Sequence, residues 1–258
     1  MTEIILYALM GGFIPVIIWL VFWLREDKKR PEPLRRVVLV FLAGAAAVVI
    51  AYLLERLWCK HSLFTLACQN ISNYTAGNPT GEVIGSAEKL VFVFWAATEE
   101  ILKLFAAYFL VFNHPDFDEP VDAMIYLITA ALGFAALENA LFLFHILFEN
   151  PANANITFLL TGNLRFLGAN VTHIVSSAIV GGMIGLSFFL PVSRRLLYAT
   201  IGLITAFLLH ALFNLLIITS DGGQILKVFS LLWIFAVLII LLFERVKQVV
   251  VSPLKLNV

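Results

Sequence analysis

The feature that most constrains this chain is a succession of apolar runs, each long enough to cross a bilayer. They fall at 4–24, 37–54, 90–112, 121–148, 163–190, 196–218 and 225–243, against the roughly 20 residues a helix needs to traverse the hydrocarbon core. Lipid offers the backbone no hydrogen-bond partners, so such runs fold as helices. The expectation is an all-α, polytopic transmembrane helix bundle of about seven spans. The second run is short, and its continuation ERLWCK predicts a further turn or two of helix.

Composition says how much else the chain can hold. With 61% hydrophobic and only 13% charged residues over 258 positions, no hydrophilic block is large enough for a separate soluble domain. One transmembrane domain over 1–258 is expected, with a core at about 90–218 and peripheral helices in 1–54 and 225–243. A formal net charge of zero gives a nucleic-acid partner no electrostatic support. The opening MTEIILYALMGG lacks the basic region of a signal peptide, so the first run is expected to be retained.

Orientation follows from lysine and arginine. REDKKRPEPLRR after the first run, PVSRR between the fifth and sixth, and ERVKQ with Lys255 after the seventh belong on the cytoplasmic side. This sets the N-terminus outside and the C-terminus inside. The acidic loop NHPDFDEP also falls inside, at little cost because acidic residues weigh weakly in the rule. Cys59 and Cys68 share the longest outer loop, where a disulfide and two separate thiols both stay open.

Charged side chains deep in a bilayer cost about 2.5 to 3.5 kcal/mol each on insertion scales, so those that persist face the bundle interior. Here they are Glu99, Glu100 and Lys103 in the third run and Glu138 in the fourth, joined by His173 in the fifth and His210 in the sixth. At about 100° per residue, Lys103 lies one turn on from the two glutamates and angularly between them. Phe134 precedes Glu138 by one turn and Asn139 follows it; Asn170, His173, Ser176 and Ser177 form one stripe; Asn214 follows His210 by one turn. Counting 1.5 Å per residue from the helix ends puts Glu99, Glu138, His173 and His210 roughly 12 to 15 Å below the outer surface. They can meet in one layer. Three glutamates against one lysine leave negative charge that a shared proton or a cation must offset.

The set EEILK, FAALEN, His173 with the following SSAIVGG, and HALFN, one motif per consecutive helix, resembles the PrsW-type intramembrane proteases, relatives of the CAAX prenyl endopeptidases and bacteriocin-immunity membrane proteins. The resemblance runs from about 95 to 214. Where that family usually carries an acidic residue after its histidine, this chain has Ser177 and Asn214. The resemblance implies a multi-pass bacterial protease of the cell membrane that cuts a membrane-anchored protein, often an anti-sigma factor, near the outer face.

Hydrolysis needs a base for water and a donor for the oxyanion. Glu99 or Glu100 would act as the base; His210 or His173, with Asn214 nearby, would serve the oxyanion; Lys103, Asn139, Asn170 and Ser177 would support them. Glu99, Glu100, Glu138, His173 and His210 are also ligand types that suit Zn²⁺. A metal-assisted and a metal-free route both remain open at this point, as do two other classes. A proton- or cation-coupled transporter would gather the same groups, although helices three to six lack proline and show no duplicated halves. A noncatalytic membrane binding protein would keep the fold without turnover. Oligomeric state is not readable.

Overall fold

A computed structural model describes residues 2–26, 30–75, 84–149, 165–219 and 224–250. Among these, every regular element is helical: α1 (Thr2–Glu26), α2 (Leu34–His61), α3 (Thr65–Thr75), α4 (Ser86–Ala107), α5 (Asp122–Glu149), α6 (Asn170–Leu186), α7 (Val192–Thr219) and α8 (Ile225–Val246). A π-helical turn, Tyr108–Phe112, continues α4, and another, Arg165–Ala169, leads into α6. Lys255 and residues 27–29 of the basic segment, which the charge argument used, lie outside the described residues.

Each of the seven apolar runs corresponds to one long helix. The ERLWCK extension is present, since α2 continues to His61. Two differences stand out. The fifth run ends as helix at Leu186 rather than at 190, and the stretch read as the longest outer loop contains α3, whose polar sequence TLACQNISNYT carries no membrane-like hydropathy. Six helices (α1, α2, α5, α7, α8 and α6 with its leading turn) are long and apolar enough to cross a membrane. In α4, Glu88, Lys89, Glu99, Glu100 and Lys103 interrupt the apolar sequence.

The order of burial explains the arrangement. From Asp122 to Ala136 α5 is buried on every side, as expected of the central helix of a bundle. Around it, α1, α2, α7 and α8 each turn one face outward, with exposed Ile17, Leu53, Leu208 and Leu241 among many others. Such faces suit lipid. Close approach of α2 to α5 depends on two glycines: a Cβ on Gly44 would run into the Ala130 carbonyl, and one on Gly133 into the Phe41 carbonyl. Small residues at crossings are how membrane helices gain packing when lipid supplies no hydrophobic drive between them.

The two ends of the bundle are braced differently. At one end Cys59 of α2 and Cys68 of α3 form a disulfide, Cα to Cα 5.9 Å, which decides the question the sequence left open. Glu88 near the start of α4 accepts the Gly85 N–H at 3.0 Å and Asn70 Nδ2 at 3.1 Å. Trp58 stacks on Phe94 at 3.9 Å and on Phe64 at 5.3 Å. At the other end the basic segment after α1 meets the acidic NHPDFDEP loop. Arg30 pairs with Glu119 at 2.9 Å, Arg36 donates to Asp116 at 3.0 Å and also meets His114, and the Tyr126 hydroxyl donates to Glu32. The acidic loop is therefore matched with basic partners rather than merely tolerated.

Candidate active site

Five helices deliver the polar layer. Lys103 of α4 is its hub: Nζ donates to Glu100 Oε1 at 2.8 Å and to His173 Nδ1 at 2.8 Å, approaches Glu99 Oε2 at 3.4 Å, and lies 4.4 Å from the centroid of the Phe134 ring. The spacing that set Lys103 between two glutamates on a helical wheel thus becomes contact with both. Phe134, one turn before Glu138 on α5, adds a ring face suited to a cation.

An ammonium only donates, so His173 Nδ1 is the acceptor and Nε2 carries the proton, which it donates to Glu138 Oε2 at 2.7 Å. The other Glu138 oxygen accepts from Arg165 Nη2 at 2.9 Å. His210 of α7 donates from Nδ1 to Glu100 Oε1 at 2.9 Å, and Ser177 Oγ donates to Glu100 Oε2 at 2.9 Å. Both oxygens of Glu100 and both of Glu138 are consequently engaged at short range.

Glu99 differs. Its approaches are all longer: 3.4 Å to Lys103, 3.8 Å to His210 Nε2 and 3.9 Å to His173 Nδ1. Its side chain is 14% exposed against 0% for Glu100. Adjacent in sequence, the two acids point about 100° apart, and that angle separates a saturated carboxylate from an available one.

A second chain of contacts runs beside the first. Arg165 donates to Asn139 Oδ1, and Asn139 Nδ2 donates to Asn170 Oδ1 at 2.7 Å. This fixes the orientation of both amides and leaves Asn170 Nδ2 buried without a partner. Asn214 is partly buried and makes no hydrogen bond to this layer among the described residues. The sequence reading singled out neither Arg165, whose guanidinium lies 4.2 Å from the Phe142 ring centroid, nor Glu55 of α2, which lies within electrostatic reach of Glu99, Glu138 and Lys103. The available signal for Arg165 was a cation at the head of an apolar stretch. For Glu55 it was an acid continuing the buried stripe Gly44, Val48, Ala51.

The donors also fit a metal. Glu99, His173 and His210 each offer a ligand atom, all within 4.8 Å of one another, and one carboxylate with two imidazoles is a donor set zinc accepts in hydrolytic sites. Behind His210 stands Glu100 and behind His173 stands Glu138, the carboxylate–imidazole arrangement that orients metal-binding histidines. His210 Nε2 faces Glu99 free of any short hydrogen bond; His173 Nδ1 would have to exchange the Lys103 ammonium for the ion.

An apolar helical bundle with a buried layer of carboxylates and imidazoles, in which Glu99 makes no short hydrogen bond, fits a membrane-embedded hydrolase. Residues 32–242 match the family described as PrsW family intramembrane metalloprotease. The chain is similar to the Protease PrsW of Geobacillus kaustophilus (strain HTA426), 29% identical over 225 residues covering 86% of each chain. It is also similar to the Protease PrsW of Bacillus subtilis (strain 168), 25% identical over 211 residues covering 80% of this chain and 81% of that one. In Clostridioides difficile (strain 630) the similar Protease PrsW is 31% identical over 134 residues, 52% of this chain and 49% of that one. No solved structure matches. The chain belongs to the PrsW family of intramembrane proteases, a multi-pass membrane peptidase rather than a transporter.

Proposed function

We propose that this peptidase cleaves a membrane-anchored protein of the anti-sigma-factor type, in the bacterial plasma membrane, close to the extracytoplasmic face. The observation that carries the reading is the convergence of Glu99, His173 and His210, from α4, α6 and α7, on one point of a layer in which Glu100 and Glu138 are already saturated with hydrogen bonds. In this reading α4 is a seventh span, shielded by its neighbours, with the N-terminus outside and the C-terminus in the cytoplasm. The Cys59–Cys68 disulfide supports that orientation, because disulfides persist on the oxidising side of a membrane.

Glu99 meets the attacking water and takes its proton. Glu100 ties α4 to α6 and α7 through Ser177 and His210, Lys103 ties it to His173, and Glu138 keeps His173 in one tautomer. Asn170 Nδ2, oriented by Asn139 and lacking any partner, donates to the carbonyl oxygen as negative charge develops there. One oxygen of Glu99 with His173 and His210 would hold Zn²⁺, leaving the other Glu99 oxygen as the base, and the ion would supply Lewis acidity and ease loss of the water proton. The test compares membrane-anchored ectodomain fragments from cells expressing wild type, Glu99→Gln or Glu100→Gln, with and without a membrane-permeant chelator. A fragment absent from Glu99→Gln and from chelated cells, restored by zinc, is expected. Uptake or proton flux that needs Glu99 without any change in fragments would sink the reading.

A further inference from the structure

Of the four carboxylates associated with this layer, two are saturated and two are not. Glu100 and Glu138 have both oxygens in short hydrogen bonds. Glu99 has only longer contacts, and Glu55 Oε1 is buried with no partner. An unpaired buried carboxylate oxygen is costly, and a fold keeps one where something other than stability requires it.

The level of Glu55 follows from packing. Antiparallel α2 and α4 touch where Trp58 stacks on Phe94 and again where the Ala51 cluster packs against Leu102. Glu55 lies midway between Ala51 and Trp58, and so level with Thr98 and Glu99. Its side chain is turned inward, along the stripe Gly44, Val48, Ala51. It comes from a fifth acid-bearing or imidazole-bearing helix, outside the four motifs that carry the family resemblance.

Peptide hydrolysis needs a proton at the leaving nitrogen as well as a base for the water. We infer that Glu55 is a catalytic residue that delivers a proton to the leaving amine. The water oxygen forms a bond to the carbonyl carbon and loses a proton to Glu99, which passes it on to Glu55. Glu55 then protonates the nitrogen as the carbon–nitrogen bond breaks. One water is consumed, a carboxylic acid and an amine are produced, and Glu55 ends as it began. His173 cannot take this part while both its nitrogens are held by Lys103 and Glu138.

This rests on the hydrolase reading above, and the test separates the two. Membranes from cells expressing full-length wild type, Glu55→Gln, Glu55→Ala and Glu99→Gln are compared for the ectodomain fragment that depends on Glu99. Glu55→Gln is expected to lose cleavage at least 100-fold while still co-purifying with uncleaved substrate. Formate added to Glu55→Ala is expected to restore cleavage at least tenfold by supplying a carboxyl group in the vacated space. Cleavage by Glu55→Gln within threefold of wild type overturns the assignment, as does loss of substrate capture or failure of formate. Failure of Glu55→Gln to accumulate also overturns it, because a carboxylate kept with an unpartnered buried oxygen should not be needed for folding. If wild type yields no Glu99-dependent fragment, the hydrolase reading itself falls.

Discussion

Two clusters of charge lie at different levels of the bundle, and they solve opposite problems. In the interior layer, Glu55, Glu99, Glu100 and Glu138 face two cations among the described residues, Lys103 and Arg165, and the Lys103–Glu100 contact is fully buried. At the end where the basic segment meets the acidic loop, Arg36 is matched with Asp116 and Arg30 with Glu119 and Asp118, and Arg30 is 67% exposed. Matched, hydrated charge fastens loops at small cost or gain. Unmatched charge out of water is expensive. The excess in the interior layer is consequently where chemistry is to be sought, and the matched cluster is where it is not.

The largest expected effect tests that division on activity. Glu99→Gln should reduce cleavage by about 100- to 10,000-fold, the range for removing a positioned acid or base, while Asp116→Asn should leave it within twofold. Both are read as fragment yield per amount of membrane-inserted protein. Equal effects from the two substitutions would erase the contrast.

On stability the contrast should appear as a difference between cations. Lys103→Met leaves Glu100 facing His210 and Ser177 with no cation in contact. Removing one partner of a buried pair costs about 3 to 5 kcal/mol. The unfolding midpoint of the purified protein in detergent, taken with a denaturant series, measures it. A Lys103→Met protein as stable as wild type would mean that water already reaches Glu100.

How far the sequence foretold this depends on helical period and depth. Glu99, Glu138, His173 and His210 fall at one level because four consecutive helices alternate in direction, and counting residues from each apolar boundary is enough to reveal it. Lys103 between the two glutamates follows from 100° per residue alone. Glu55 escaped because it lies in ERLWCK, past the apolar boundary, where an acid looks like the start of a loop. Which of Glu99 and Glu100 is engaged depends on Ser177 and His210, more than 75 residues away, and no local pattern encodes that. The pairing of Arg36 with Asp116 spans 80 residues in the same way. Low hydropathy concealed α3, since a short polar helix held by a disulfide needs no apolar run.

The disulfide sharpens the comparison further, because Glu55 and Cys59 are one turn apart on α2. Closing the short loop to Cys68 is worth about 2 to 3 kcal/mol on a chain-entropy account. Cys59→Ser with Cys68→Ser should lower stability by that amount, measured in the same unfolding series. Cleavage should fall more than it does in a variant equally destabilised at the matched end, since the brace also fixes where Glu55 stands. Proportionate loss in both would reduce the disulfide to a staple.

The smallest expected effect is Arg30→Met. Its partners Asp118 and Glu119 lie at 3.7 and 2.9 Å, with Asp118 63% exposed, so both ions are largely hydrated with or without each other. Exposed pairs contribute roughly 0 to 1 kcal/mol and are screened by salt. The substitution should shift unfolding by less than about 1 kcal/mol, and the difference should vanish in high salt, whereas the Lys103→Met difference should persist because the Lys103–Glu100 pair is buried and salt screens it far less. A large, salt-resistant loss from Arg30→Met would show that the matched cluster carries buried charge of its own, and surplus would no longer distinguish the candidate site from it.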